Sequence, residues 1–148
     1  MLVRCLYASR CVSPQSPAML DQILTQSRRN NPRRGITGLL CATSDIFVQV
    51  LEGGRDEVSS LLCAILRDER HKNVLLLSYE EIQERQFGNW SMGQVEIASL
   101  NRALLLKYGP RPDLDPFSTS SKATMSLLSE LVATGAITHR PGGPGDRN

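Results

Sequence analysis

Apolar and polar residues alternate along several short segments of the chain, and this period of two predicts β-strands. In the first segment Val3, Cys5 and Tyr7 share one face, and Leu2, Leu6 and Ala8 share the other. Turn residues and glycines separate the segments. Strands are therefore predicted at 2–8, in a run after Gly35 that ends at Ala42, and at 46–51, 74–82 and 91–97.

A period near 3.6 residues predicts two amphipathic helices between these strands. The first covers about 17–28, and Asn30-Asn31-Pro32 is expected to end it, because the residue before a proline is disfavoured in the α region. The second runs from about Val58 to near Asp68, after the pair Gly53-Gly54 has ended the third strand.

The order βαββαββ predicts an α+β, ferredoxin-like fold with both helices on one face of the sheet. The third strand is apolar on both faces, so other elements must cover the second face. Two C-terminal helices, near 100–108 and 119–133, are the candidates. We therefore expect a core domain at 1–98, a helical extension at 99–134 and a mobile tail at 135–148.

Composition excludes several functional classes. A hydrophobic share of 41% and a charged share of 22% indicate a globular protein, and a net charge of +2 argues against nucleic-acid binding. No run approaches the ~20 apolar residues of a membrane span. The N-terminal pattern is typical of a strand rather than a signal peptide, and we therefore expect a cytoplasmic location. The four cysteines lack the spacing of a zinc site, and no metal is expected.

Gln49 is the unusual residue of the third strand, since a buried amide without a partner costs about 1–3 kcal/mol. Period-two alternation allows four side chains to face the two helices together: Tyr7, Gln49, Trp90 and Met92. Two interpretations remain open. Tyr7 and Gln49 form an ordinary buried hydrogen-bonded pair, or they serve a bound ligand.

Other polar residues are candidates for ligand contacts. Asn30 and Asn31 are either helix-ending turn residues or amide donors and acceptors for a planar polar ligand. Asp68 and Arg70 are either solvated charges or a pair that holds a ligand tail, and His71 is expected at the surface.

Five separated motifs together resemble the BLUF family of flavin-based blue-light sensors. They are LYAS with Tyr7, SRRNNPRRGITGLL, FVQVLEG with Gln49, DERH at 68–71, and FGNWSMG with Trp90 and Met92. The resemblance covers residues 1 to about 98 in order and spacing, and it extends more weakly to short members with two C-terminal helices.

The resemblance implies a flavin between the two helices, either FAD or FMN. By similarity, the cofactor-binding residues are Tyr7, Asn30, Asn31, Gln49, Ile65, Asp68 and Arg70. Some members carry a basic residue at the position of Ala64, and its absence here leaves the phosphate contacts and the flavin species open.

The same resemblance implies photochemistry without turnover of a substrate, so the chain is not expected to be an enzyme. After excitation an electron leaves Tyr7, a proton follows through Gln49, and the glutamine ends with altered hydrogen bonds that shift the flavin absorption to the red. Trp90 and Met92 are the candidates for passing this change to the fifth strand and the C-terminal helices.

The expected partner is a downstream signalling protein, such as a response-regulator-like protein or a cyclic-di-GMP phosphodiesterase, and homo-oligomers are expected by family analogy. Two other functions remain as alternatives: a light-insensitive interaction module, and a small hydrolase on the same scaffold. The hydrolase requires an anion-binding loop, and the loop SRCVSPQSP offers only Arg10 and no glycine-rich cradle.

Overall fold

A computed structural model describes residues 1–12, 17–95 and 99–138. Its elements, in chain order, are β1 (Leu2–Cys11), α1 (Pro17–Arg34), β2 (Thr37–Ala42), β3 (Ile46–Gly54), α2 (Arg55–Arg67), β4 (His71–Ile82), β5 (Gly93–Val95), α3 (Arg102–Tyr108), α4 (Ser121–Ala133) and β6 (Ile137–Thr138).

Within the described residues the strands form one sheet in the order β4-β1-β3-β2-β5-β6. β3 lies between β1 and β2 and is antiparallel to both, and β5 is parallel to β2. The register places Tyr7 of β1 directly opposite Gln49 of β3. The predicted α+β, ferredoxin-like order βαββαββ is confirmed, and β6 is an additional strand at the edge.

The two faces of the sheet are covered by different helices, as predicted. Side chains that alternate inward on one face pack with Leu24 of α1 and Val58 of α2. On the other face, Leu127, Leu128 and Leu131 of α4 pack against the sheet. The central strands are thus buried on both faces, and β3 is buried at every position except Gly54.

The predicted end of the first helix is wrong. Helix α1 continues through Asn30-Asn31-Pro32 to Arg34, with Pro32 inside it. Gly35, at φ +66°, ends the helix, and the amides of Ile36 and Gly35 donate to the carbonyls of Asn31 and Pro32 at 3.0 and 3.3 Å. This is a Schellman C-cap, and its αL position explains the glycine after Arg34. The extra turn places Asn30 and Asn31 on the helix rather than in a loop.

The C-terminal part also differs from the prediction. β5 begins at Gly93 rather than 91, and the predicted strand residues 96–97 lie outside the described residues. The expected mobile tail began at 135, but Ile137 and Thr138 form β6 and pair with Val95 and Gln94. The rest of that tail, 139–148, and the loop residues 13–16 also lie outside the described residues.

Candidate functional site

A chain of three side chains crosses the middle of the sheet on the face that α1 and α2 cover. The Tyr7 hydroxyl donates to Oε1 of Gln49, and Nε2 of Gln49 lies 3.3 Å from Sδ of Met92. Tyr7 and Met92 are buried, and Gln49 is only 6% exposed. The buried amide of Gln49 therefore has a partner at each end, as its burial requires.

Burial raises the pKa of the Tyr7 phenol far above its ordinary value, and the charges of Cys5 and Asp68 raise it further. The phenol is therefore protonated over the whole pH range in which a protein stays folded. It acts as a hydrogen-bond donor, and it leaves Oε1 of Gln49 as the acceptor.

Trp90 does not join this group, which corrects the expectation that it faces the helices together with Met92. Its half-buried ring packs with the cluster on the α4 side of the sheet. A Cβ built on Gly93 would lie 3.0 Å from Cγ of Trp90 and 2.8 Å from Cδ2 of Leu39. The bare backbone at Gly93 therefore lets Trp90 fold over that face, while Met92 takes the position beside Gln49.

An open cleft of about 240 Å³ lies between α1, α2 and this face of the sheet. All seven residues predicted to bind a cofactor line it: Tyr7, Asn30, Asn31, Gln49, Ile65, Asp68 and Arg70. The structure therefore brings together side chains that are up to 63 positions apart in the chain, from Tyr7 to Arg70.

The cleft has nine further lining residues, which were not among the predicted cofactor contacts. They are Ile23, Gln26, Ser27, Arg34, Leu40, Phe47, Leu61, Ala64 and His71. The helical period and the strand alternation mark several of them as core residues, and neither pattern separates a cleft wall from an ordinary core contact. The walls thus combine aliphatic and aromatic side chains with slightly more polar and charged ones, so they offer a ligand both apolar contacts and hydrogen bonds.

Asp68 and Arg70 form an ion pair at the cleft. Nη2 of Arg70 lies 2.6 Å from Oδ2 of Asp68, and Nε of Arg70 bonds the same carboxylate at 3.0 and 3.1 Å. These hydrogen bonds hold the pKa of Asp68 below its usual range, and burial opposes them. The pair is about 70% buried, with side chains 31% and 26% exposed, so the interpretation as separate solvated charges is wrong.

His71 is not the surface residue that the sequence suggested. It opens β4, its Nδ1 lies 2.7 Å from the buried Oγ of Ser9, and its ring centroid is 4.8 Å from that of Phe47. Burial lowers the pKa of His71, Asp68 raises it and Arg70 lowers it. A neutral imidazole therefore forms part of the cleft wall near Tyr7, 6.5 Å away between ring centroids.

The two asparagines at the end of α1 have different surroundings. Asn31 is buried, and its Nδ2 donates to the carbonyl of Ser91 at 2.8 Å. Asn30 is half-buried, and its Oδ1 accepts from Arg33 at 2.7 Å. An amide nitrogen carries two hydrogens, so both residues can serve a ligand in the cleft and keep these bonds.

In the part of the chain that the structure describes, no cluster of three or more His, Cys, Asp or Glu side chains is arranged to hold a metal. Of the helices in the same ranges, none combines the length and the hydropathy needed to cross a membrane.

Fold and site together define a ferredoxin-like domain that presents a buried tyrosine–glutamine pair to an open cleft between the two helices and the sheet. A family model described as "BLUF: Sensors of blue-light using FAD" matches residues 2–93. The chain belongs to the BLUF family.

Solved structures and curated relatives agree with this assignment. BlsA in its photo-activated state is 31% identical with a TM-score of 0.79, over 89% of this chain and 95% of that one. The dark-state structure of BlrB is 34% identical with a TM-score of 0.71, over 90% and 96% of the two chains. Photoactivated adenylate cyclase subunit beta of Euglena gracilis is 30% identical over 86% of this chain, which spans only 14% of that relative's length.

Proposed function

We propose that the cleft holds a flavin non-covalently and that the Tyr7–Gln49 pair makes the chain a blue-light sensor. The observation that carries this proposal is the buried bond from the Tyr7 hydroxyl to Oε1 of Gln49 at the wall of the cleft. The membership in a family of flavin-based blue-light sensors supports it.

The side chains of the cleft fit a flavin. Apolar side chains such as Ile23, Leu61 and Ile65 on the helices and Phe47 on the sheet suit the flat faces of an aromatic ring. We propose that Asn30, Asn31 and Gln49 meet its polar edge, because an amide offers both a donor and an acceptor.

Two arginine side chains that line the cleft suit an anionic tail. Asp68 orients the guanidinium of Arg70, and Arg34 also lines the cleft. A guanidinium held in this way can bind a phosphate through two parallel hydrogen bonds. We propose FAD as the cofactor, after the family description, and FMN is the alternative, since Ala64 supplies no basic group on α2.

The bound flavin supplies light absorption and one-electron redox chemistry. We propose that Tyr7 gives up an electron and that its phenolic proton passes to Gln49, whose Oε1 already accepts that proton in a hydrogen bond. When the proton and electron return, the Gln49 amide is left rotated or in another tautomer. Its donor and acceptor atoms then point in different directions, which changes the hydrogen bonds offered to the cleft.

Met92 is the first residue outside the cleft that senses this change. Sδ of Met92 accepts from Nε2 of Gln49, and rotation of the amide replaces this donor by an oxygen. The thioether sulfur has no hydrogen to donate to that oxygen, so the hydrogen bond between Gln49 and Met92 is lost. Met92 is therefore the element that a rearranged Gln49 displaces, and Gly93 of β5 follows it directly.

The output route leads from β5 to the C-terminal helices. Val95 and Gln94 of β5 pair with Ile137 and Thr138 of β6, and β6 follows α4 after a turn of three residues. Displacement of β5 therefore shifts the end of α4 as well. We propose residues 1–98 as the sensor and 99–134, together with β6, as the output region that contacts a partner.

The partner is proposed by its class only. A downstream signalling protein such as a response-regulator-like protein or a cyclic-di-GMP phosphodiesterase would bind the α3–α4 surface in one of the two light states. Self-association of the chain is a further proposal. In this scheme the chain itself turns over no substrate, and its activity is the light-dependent change of that surface.

Absorption spectroscopy of the purified protein in the dark and directly after blue light tests the proposal. The expected result is a flavin spectrum that moves to the red as a whole and recovers in darkness. A colourless protein that stays unresponsive after reconstitution with FAD and with FMN would instead favour an interaction module in which Tyr7 and Gln49 are only a core pair. Turnover of a phosphate ester by the colourless protein would favour the hydrolase.

A further inference from the structure

The backbone that carries Met92 lies outside the ladder of the sheet. β5 pairs with β2 only through Gly93 and Gln94, so the sheet does not fix the residues just before it. The carbonyl of Trp90 accepts from the amide of Gly38 at 3.1 Å. The next two carbonyls along the chain accept from side chains of α1.

Those two bonds come from one helix face. Nδ2 of Asn31 donates to the carbonyl of Ser91 at 2.8 Å, and Nε of Arg28 donates to the carbonyl of Met92 at 3.1 Å. Arg28 and Asn31 are three residues apart, so they project from the same side of α1. Met92 is thus held at two points: Arg28 holds its backbone, and Gln49 holds its sulfur.

We propose that Arg28 is a positioning residue of the photosensor, which sets where Met92 lies relative to Gln49. This inference rests on the proposed function of Met92 in signalling. The bond is made by a charged donor to a carbonyl in a part-buried setting, and charge-assisted bonds of this kind are about twice as strong as neutral ones. Loss of it releases the carbonyl of Met92, while Asn31 still holds the carbonyl of Ser91 and Gln49 still contacts the sulfur of Met92.

Arg28 also links Met92 to helix α1, which forms one wall of the cleft. Ser27 and Asn31, which lie on either side of Arg28 in α1, line the cleft. A ligand that moves α1 therefore moves the anchor of Met92, and a displaced Met92 pulls on the helix in return. We expect flavin binding and the position of Met92 to be coupled through this bond, equally in both directions.

The test compares Arg28→Met with Arg29→Met. Methionine keeps an apolar stem that can pack like the arginine stem, and Arg29 is the exposed neighbour on the same helix. The methyl resonances of ¹³C-methionine-labelled, flavin-loaded protein are recorded in the dark, with Met92→Leu to assign the Met92 signal. Met125, which packs on the α4 side of the sheet, is the internal reference.

The expected result is a shifted Met92 signal in Arg28→Met, with Met125 unchanged and with no effect of Arg29→Met. The rate of dark recovery should change by about tenfold or more, in line with the loss of one charge-assisted hydrogen bond. In a Met92→Leu background the same substitution should change the rate much less, because a positioning residue acts through the residue it positions.

An unchanged Met92 signal in Arg28→Met would overturn the proposal, and so would rate effects of Arg28→Met and Met92→Leu that simply multiply. If Arg28→Met does not fold, Arg28→Lys replaces it in the same test, because lysine keeps the positive charge and lacks the planar Nε donor. The resonance is measured in the dark. A protein without any light response would therefore refute the proposed function and still report on Arg28.

Discussion

Tyr7→Phe removes one oxygen atom from the centre of the site. We expect it to have a small effect on stability and a large effect on photochemistry. The Tyr7 hydroxyl donates to Oε1 of Gln49, and both side chains are buried. The substitution loses a hydrogen bond worth about 0.5–1.5 kcal/mol and leaves that oxygen without its tyrosine donor, at a cost of about 1–3 kcal/mol if nothing replaces it. We expect the free energy of unfolding to fall by about 1–2 kcal/mol.

A loss of this size lowers the melting temperature by a few degrees, at about 2–4 °C for each kcal/mol in a chain of this length. The variant should therefore fold, bind flavin and show an ordinary dark spectrum. Because the electron and proton donor is gone, it should form no persistent red-shifted state. The assay is absorption spectroscopy before and after blue light, together with thermal unfolding of the same samples.

Tyr79→Phe is the matched control. The Tyr79 hydroxyl lies 3.0 Å from Oγ of Ser59, and its ring packs with the same cluster of residues as Tyr7. Tyr79→Phe should cost about 0.5–1.5 kcal/mol and keep the red shift and the recovery rate. A normal photocycle in Tyr7→Phe, or an equal loss in Tyr79→Phe, would refute the assignment of Tyr7 as the donor.

Three other predictions concern the cleft. Gln49→Leu should retain flavin and lose the light-induced red shift of its absorption. If the variant instead loses about 1–3 kcal/mol of stability and keeps a normal red shift, Gln49 has a structural role only. Asp68→Asn should weaken flavin binding, measured by fluorescence titration, and reduce stability by less than about 1 kcal/mol. The control Glu69→Gln, at an exposed neighbour, should change neither quantity. Because burial holds the pKa of His71 below the ordinary value of about 6.5, folding stability should fall as the pH drops from about 6.5 through the lower folded pKa. His71→Gln should remove that slope in urea titrations, and an unchanged slope would show that other groups cause it.

Much of this protein follows from its sequence alone, because the informative patterns are local. Strand alternation has a period of two, so it allowed Tyr7 and Gln49 to share a face, and the register of β1 and β3 places them directly opposite each other. The apolar character of β3 on both faces required two covering layers, and the helices α1, α2 and α4 supply them. The resemblance of five separated motifs to the BLUF family identified the seven predicted cofactor-binding residues, and all seven line one cleft.

Only the tertiary structure decided the points that depend on partners distant in the chain. Met92 rather than Trp90 lies beside Gln49, because Gly93 has no side chain and Trp90 packs on the opposite face. Helix α1 passes through Asn30-Asn31-Pro32, and the side chain of Asn31 is bonded to Ser91, which is 60 residues away. A proline inside a helix costs about 3 kcal/mol relative to alanine, and long-range bonds and packing of this kind outweigh that cost here.

His71 and Arg28 are two further residues whose contacts could not be predicted from the sequence. As sequence, each is a polar residue in a charged segment, which is typical of a solvated surface. In the fold, His71 meets Ser9 across neighbouring strands, and Arg28 reaches the carbonyl of Met92. Periodicity determines which face of an element is buried, whereas the register and packing of whole elements determine which polar groups meet there.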